Sequence, residues 1–266
     1  MNLWIGFILG IMIALLAWRA GSLSNSGAWA AALTGGLIFG LGGISWAVLL
    51  LTFFISSSVI SRLFSSRKAA LNEKFSKGSR RDWEQVLANG GLGAFLALVF
   101  SLAPGSTWVW AAFAGCMAGV NADTWATELG VLSKQAPRLI TTWKPVERGT
   151  SGGISGQGYL AALGGAALVA SAAALLSPAG SRLLIFGTAL VGGLVGASAD
   201  SLVGATVQGI YYCPKCGKET ERYPLHSCGT QTLHRRGWRW VSNEVVNFTC
   251  SLVAALTAFL LFALIR

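Results

Sequence analysis

Two aspartates carry the first sign of chemistry. Gly119-Val120-Asn121-Ala122-Asp123-Thr124 and Gly196-Ala197-Ser198-Ala199-Asp200-Ser201 share the pattern Gly-x-Asn/Ser-Ala-Asp-Ser/Thr. Each ends an apolar stretch, where an unpaired carboxylate is costly and generally has a partner or a task. Two carboxylates at one depth are what a hard cation such as Mg2+ recruits, with phosphate oxygens completing its shell. Small residues before each aspartate (Gly115, Ala118, Gly119; Gly192, Gly193, Gly196) would let the two helices approach closely. The plainer reading is that each aspartate merely terminates its helix. Glu128 and Glu244 also lie at membrane boundaries and are expected to support the metal or position an acceptor. On an ideal helix Asn121, Thr124 and Glu128 share a face from which Asp123 points away. Either the helix breaks near 121–124, or Asp123 and Glu128 serve different partners.

A second chemistry-bearing stretch runs from Lys144 to Gly158, KPVERGTSGGISGQG, and precedes a helix. Its backbone N–H groups, its hydroxyls and the following helix N-terminus suit an anion, with Lys144 and Arg148 supplying charge. Thr150, Ser151, Gly152 and Gly153 are the expected phosphate contacts, and a flexible linker is the alternative. It is neither a Walker A loop nor a dinucleotide fingerprint, because no Gly-Lys-Ser/Thr closes it and the glycine spacing is wrong. Asn243, Glu244 and Asn247 meet the membrane together, one turn deeper than a helix cap alone explains. Gln85 and Asn89, with the glycines at 90, 91 and 93, open another span with more polar character than packing requires. Asn89, Asn121, Asn243 and Asn247 are accordingly expected around the nucleotide. The charged loop 62–85, with Glu73, Asp82 and Glu84 among basic residues, reads as a solvated surface.

Cys213-x2-Cys216 is followed by His226, Cys228 and His234. In a reducing compartment such a set reads as Zn2+ before it reads as a disulfide, with plain thiols as the alternative. The expected ligands are Cys213, Cys216, His226 and Cys228. Cys116 and Cys250 fall inside apolar stretches and read as packing residues.

The elements that must hold these groups follow from composition. Of 266 residues, 53% are hydrophobic and 11% charged, against roughly 25% charged in a soluble domain. A soluble globule and a disordered chain are both excluded. Crossing a bilayer takes roughly 17 to 25 apolar residues. Eight stretches qualify, near 3–19, 26–43, 45–62, 86–103, 106–125, 158–177, 182–203 and 244–265. The chain therefore reads as all-α, a single integral membrane domain over 1–266 of about eight transmembrane helices, with a cysteine-containing loop at 209–242. The start Asn2-Leu3-Trp4 lacks a basic leader, and no cleaved signal peptide is expected. Of its 20 Lys and Arg residues, all but Arg182 and Arg266 fall on one side of these stretches. That side reads as cytoplasmic, with both termini outside. The net charge of +10 thus reflects topology and anionic headgroups rather than nucleic acid.

At these residues the chain resembles the transmembrane protein 19 family, an integral membrane family that includes the plant phytyl-phosphate kinase. The matching pieces are Gln85 to Gly90 (QVLANG), Asn121 to Gly130 (NADTWATELG), Lys144-Pro145-Val146 with Gly149 to Gly153 (GTSGG), Ser198 to Leu202 (SADSL) with Gly204-Ala205, and Asn243 to Asn247 (NEVVN). Glu244 departs from the aspartate of the family pattern but keeps the carboxylate. The layout is also similar to polyprenol kinases and CDP-diacylglycerol synthases. The resemblance implies phosphoryl transfer from a nucleoside triphosphate, CTP first, to an isoprenoid monophosphate such as phytyl phosphate. Asp123 and Asp200 would hold Mg2+, and Lys144, Glu128 and Glu244 would serve the reaction at the cytoplasmic face. The rival readings are a transporter or channel and a cytidylyltransferase-like lipid enzyme. Against a transporter, no ionisable residue lies mid-span, where such sites are usually built.

Overall fold

The computed structural model describes residues 3–64, 74–75, 77–78, 80–177 and 179–266. Arg67, Lys68 and Glu73 of the charged loop lie outside the described residues. The apolar stretches become α1 (Leu3–Arg19), α2 (Asn25–Leu37), α3 (Ile44–Leu63), α4 (Trp83–Leu102), α5 (Thr107–Gly130), α6 (Gly156–Leu175), α7 (Arg182–Thr206) and α8 (Asn243–Ile265). Five of these, α3, α4, α6, α7 and α8, are long and apolar enough to cross a membrane, and α1 is apolar but shorter. The second stretch splits, because α2 gives way to a π turn at Ile38–Gly42 that ends on Gly43 at φ 82°. Elsewhere the bundle turns Ile8, Leu98, Leu160, Leu183 and Leu264 outward, the apolar sheath that lipid requires.

α5 is the axis. Every residue from Val109 to Ala122 on it is buried, and α3, α4, α6, α7 and α8 all pack around it. Trp46 stacks on Phe113 with ring centroids 4.1 Å apart, which seals the side toward α3. On the other side the packing runs through small residues. A Cβ at Gly119 would come within 2.5 Å of the Ala254 methyl, and one at Gly196 within 2.7 Å of it. The pattern Gly-x3-Gly-x3-Asp repeats in both helices, as Gly115, Gly119 and Asp123 in α5 and as Gly192, Gly196 and Asp200 in α7. Residues four apart lie on one helix face, so the glycines that seat α8 between α5 and α7 also set both aspartates at equal depth, one turn further on.

Two small sheets lie at that end of the bundle. β1 (Arg138–Leu139) pairs antiparallel with β2 (Gly153–Ile154) and folds the glycine-rich stretch back on itself. β3 (Ile210–Cys213) is flanked by β4 (Lys218–Thr220) and β5 (Leu233–Arg236), both antiparallel to it. Gly152 has φ 80° and lies against the backbone of Ala205, where a side chain would overlap it. Only glycine allows the loop to approach the end of α7 so closely.

Candidate active site

One end of the helix bundle surrounds a polar cavity of about 450 Å3. Asp123 enters it from α5 and Asp200 from α7, and the two carboxyls lie within hydrogen-bonding reach of each other. Among the described residues no donor reaches Asp200 Oδ2, although that atom is buried. Two adjoining carboxylates with an orphaned oxygen need a cation or a proton between them. The donor set is hard oxygen, which matches Mg2+.

Glu128 also borders the cavity, but from another face of α5. Its Oε1 accepts a 2.9 Å hydrogen bond from Ser61 Oγ of α3. α5 is unbroken over Thr107–Gly130, so Asp123 and Glu128 have different partners, the second of the two expected arrangements.

Three helix N-termini converge here. α4 brings Gln85 and Asn89, α6 brings Gly158 and Tyr159, and α8 brings Asn243 and Asn247. Asp82 caps α4 through a reciprocal pair, Gln85 N to Asp82 Oδ1 at 3.0 Å and Asp82 N to Gln85 Oε1 at 3.2 Å. Ser155 caps α6 by accepting from Gly158 N at 3.1 Å. Aligned helix dipoles place partial positive charge at such ends, which favours anions. The glycine-rich stretch forms the facing wall, with Arg148, Thr150, Ser151, Gly152 and Gly153 all lining the cavity.

Several expected residues sit elsewhere. Asn121 is fully buried outside the cavity; its Nδ2 donates to Gly165 O at 2.8 Å, and its Oδ1 accepts from Ser56 Oγ and Ser57 Oγ at 3.0 Å each. That amide ties α3, α5 and α6 together and does not reach a nucleotide in the cavity. Lys144 is exposed and does not line the cavity; the charge there comes from other cations. Glu244 is set back behind Lys77, with its Oε1 3.0 Å from Lys77 Nζ.

The loop expected to be a solvated surface supplies two of those cations. Lys77 and Arg81 both line the cavity. Lys77 also pairs with Asp82 at 2.8 Å and with Glu84. Burial alone would lower its ammonium, but the hydrogen bonds that it donates to the carboxylates of Asp82, Glu84 and Glu244 reverse this and hold it above the usual lysine range. Arg81 donates to Ser58 Oγ at 3.0 Å and lies over the rings of Phe53 and Phe54. Burial pulls its guanidinium down to about 10, opposed by the charge of Glu128, so it stays cationic at neutral pH. The available signal was position: Arg81 immediately precedes the Asp82-x2-Gln85 capping box that opens a cavity helix.

Beside the polar cavity lies a smaller apolar hollow among α1, α2, α3 and α4. Gly10, Ile13, Ala14, Phe39, Leu50 and Phe53 line it, and it shares Arg81, Gln85 and Asn89 with the polar cavity.

Comparison with known proteins decides the family. The model of "Integral membrane protein DUF92" matches residues 8–255. The chain belongs to this integral membrane family. It is 34% identical to Protein PGR of Arabidopsis thaliana, over 93% of this chain and 94% of that protein. An uncharacterized membrane protein of Methanocaldococcus jannaschii is 34% identical over 77% of this chain and 82% of its own length. A second, from Synechocystis sp., is 28% identical over 78% and 72%. No solved structure matches the chain. The transmembrane protein 19-like motifs belong to this same family.

Proposed function

We propose that this protein is a membrane-embedded kinase that transfers a phosphoryl group from a nucleoside triphosphate, CTP first among the candidates, to an isoprenoid monophosphate such as phytyl phosphate. The observation that carries the reading is the pair Asp123 and Asp200, adjoining and with Asp200 Oδ2 unpartnered, in a polar cavity walled by the glycine-rich loop. Supporting it are the three helix N-termini, the cations Lys77, Arg81 and Arg148, and the apolar hollow that shares Arg81, Gln85 and Asn89 with the polar cavity. A molecule with a phosphate head and a hydrocarbon tail matches that junction. The charge bias of the sequence supports a cytoplasmic position for the cavity, where nucleotide would be available.

In this reaction an oxygen of the lipid monophosphate attacks the terminal phosphorus, the bond to the bridging oxygen breaks, and the nucleoside diphosphate leaves with those electrons. Phosphoryl transfer of this kind depends mainly on positioning and charge neutralisation. The monoester is already an anionic nucleophile, so no side chain need remove a proton. Asp123 and Asp200 would hold Mg2+, which supplies charge stabilisation to the transferring group. Backbone N–H groups of Thr150 to Gly153 and the guanidinium of Arg148 would hold the nucleotide phosphates. Arg81, Gln85 and Asn89 would hold the lipid phosphate at the mouth of the apolar hollow.

The test is a product assay with the purified full chain, Mg2+, and a panel of prenyl alcohols and monophosphates against CTP, ATP, GTP and UTP. Prenyl diphosphate formation is the expected result. A CDP-linked lipid would instead indicate a cytidylyltransferase, and flux into proteoliposomes without any turnover would indicate a transporter; either result overturns the kinase reading.

A further inference from the structure

Cys213, Cys216, His226 and Cys228 take no part in the chemistry above, yet the fold brings them together from two separate loops. Their ligand atoms all lie within 4.8 Å of one another. Cys213 Sγ is 3.6 Å from Cys228 Sγ, and His226 Nδ1 is 3.5 Å from Cys216 Sγ and 3.4 Å from Cys228 Sγ. A tetrahedral zinc ion with bonds of about 2.3 Å to sulfur and about 2.0 Å to nitrogen would set sulfurs about 3.8 Å apart and sulfur to nitrogen about 3.5 Å. These three separations are close to that geometry, and the others stay within 4.8 Å. A disulfide would join two thiols at about 2.05 Å and leave the third without a purpose.

The sheet around them has a small core of its own. Its buried side chains are few, among them Ile210, Tyr211, Thr220, Thr232 and Val241, and a unit of that size generally needs a metal or disulfide staple. His234, a fifth possible ligand by sequence, points elsewhere and packs its ring edge-on to Tyr211.

We propose that these four side chains bind one structural Zn2+, and that the ion keeps the β3–β5 sheet clamped across both walls of the polar cavity. The clamp is visible in its hydrogen bonds. Arg236 Nη1 donates to Gly204 O at 3.2 Å and Ala205 O at 3.0 Å, at the end of the helix that carries Asp200. Gln208 Nε2 donates to Glu221 Oε1 at 3.0 Å, while Gln208 Oε1 accepts from Ser151 Oγ of the glycine-rich loop. Arg236 of β5 thus holds the end of α7, while Gln208 and Glu221, which adjoin β3 and β4, reach the loop. This inference is independent of the kinase reading, since it needs no substrate.

The experiment measures metal in the full chain purified from zinc-supplemented cells without metal-affinity tags. One zinc per chain is expected, released by a thiol-modifying mercurial and lost in Cys216→Ser and Cys213→Ser but kept in Cys116→Ala. Because the serine variants can misfold, two measurements use the unaltered chain. Cobalt(II) exchanged into it should give the intense visible bands of a tetrahedral sulfur-rich site. Removing zinc with a chelator should speed hydrogen exchange at the amides of Gly209 and Trp238, which bond to Val241 O and Val207 O. Well under one zinc per chain with no tetrahedral cobalt spectrum overturns the site. Iron in place of zinc overturns the ion's identity. Stoichiometric zinc whose removal leaves those amides and the exchange at 150–153 unchanged overturns the clamp.

Discussion

Gly119 and Gly196, on different helices, press against the same methyl group, that of Ala254. The contact acts as a depth gauge for the aspartates one turn beyond. Ala254→Leu inserts three carbons where no gap exists, and overpacking of this kind costs roughly 1–3 kcal/mol. The variant should melt at lower temperature in detergent and lose turnover out of proportion to its folded fraction, because the carboxylates are pushed apart. Full turnover per folded molecule would show that their spacing is unimportant.

Asp123→Asn and Asp200→Asn remove one charge each with nearly unchanged shape. If the pair holds Mg2+, each should lower kcat by about 10²-fold or more, and the Mg2+ concentration for half-maximal rate should rise. Stability should hold or improve, since neutralising one of two adjoining carboxylates relieves their repulsion. A variant of either kind with wild-type turnover would remove the metal assignment.

Asn121→Ala separates the packing role seen in the fold from the nucleotide role expected of it in the sequence. Loss of its hydrogen bonds to Gly165, Ser56 and Ser57 should cost about 1–3 kcal/mol of stability. Activity per folded molecule and KM for nucleotide should stay near wild type. A selective rise in that KM would return Asn121 to the site.

Arg81→Gln should raise KM for the lipid monophosphate by about 10-fold or more, the loss expected of a charge-assisted contact, with a smaller change in KM for nucleotide. The lysine variant should recover only part of this, because a point charge replaces a planar group that also stacks on Phe53 and Phe54.

Lys77→Met leaves Asp82, Glu84 and Glu244 without their shared cation. The ammonium is held above its ordinary value of 10.5, so its contribution is fully present below that pH and is lost only as pH rises through the higher folded value. The gap in melting temperature between wild type and variant should therefore be constant through neutral pH and close in strong alkali. Lys77 is partly solvated, so the gap should correspond to about 1 kcal/mol.

Among the described residues each apolar stretch holds one long helix, because a bilayer demands long uniform runs and composition shows them, but the second stretch breaks after Leu37 and only five of the helices are long and apolar enough to cross a membrane. The paired aspartates were equally legible, since the repeat around Asp123 and Asp200 and the shared direction of their helices fix their depth. What sequence concealed were the contributions of irregular chain. Lys77 and Arg81 looked like surface charge because nothing in composition says that the segment before α4 folds inward over the helix ends. Asn121 misled in the opposite direction: it lies in the same run as Asp123, but two residues amount to about 200° around a helix, and it faces α3 and α6. Periodicity contained that warning, since it set Asn121 and Asp123 on different faces of the helix. The separation of Glu128 from Asp123 was legible there too, and Ser61 of α3 is the partner it could not name.

The two hollows meet at Arg81, Gln85 and Asn89, and this has a consequence for crowding. On the kinase reading, hydrocarbon would rest among α1 to α4 while the phosphates stayed on the polar side of those three residues, so the greasy and the water-loving halves of the reaction would not compete for one volume.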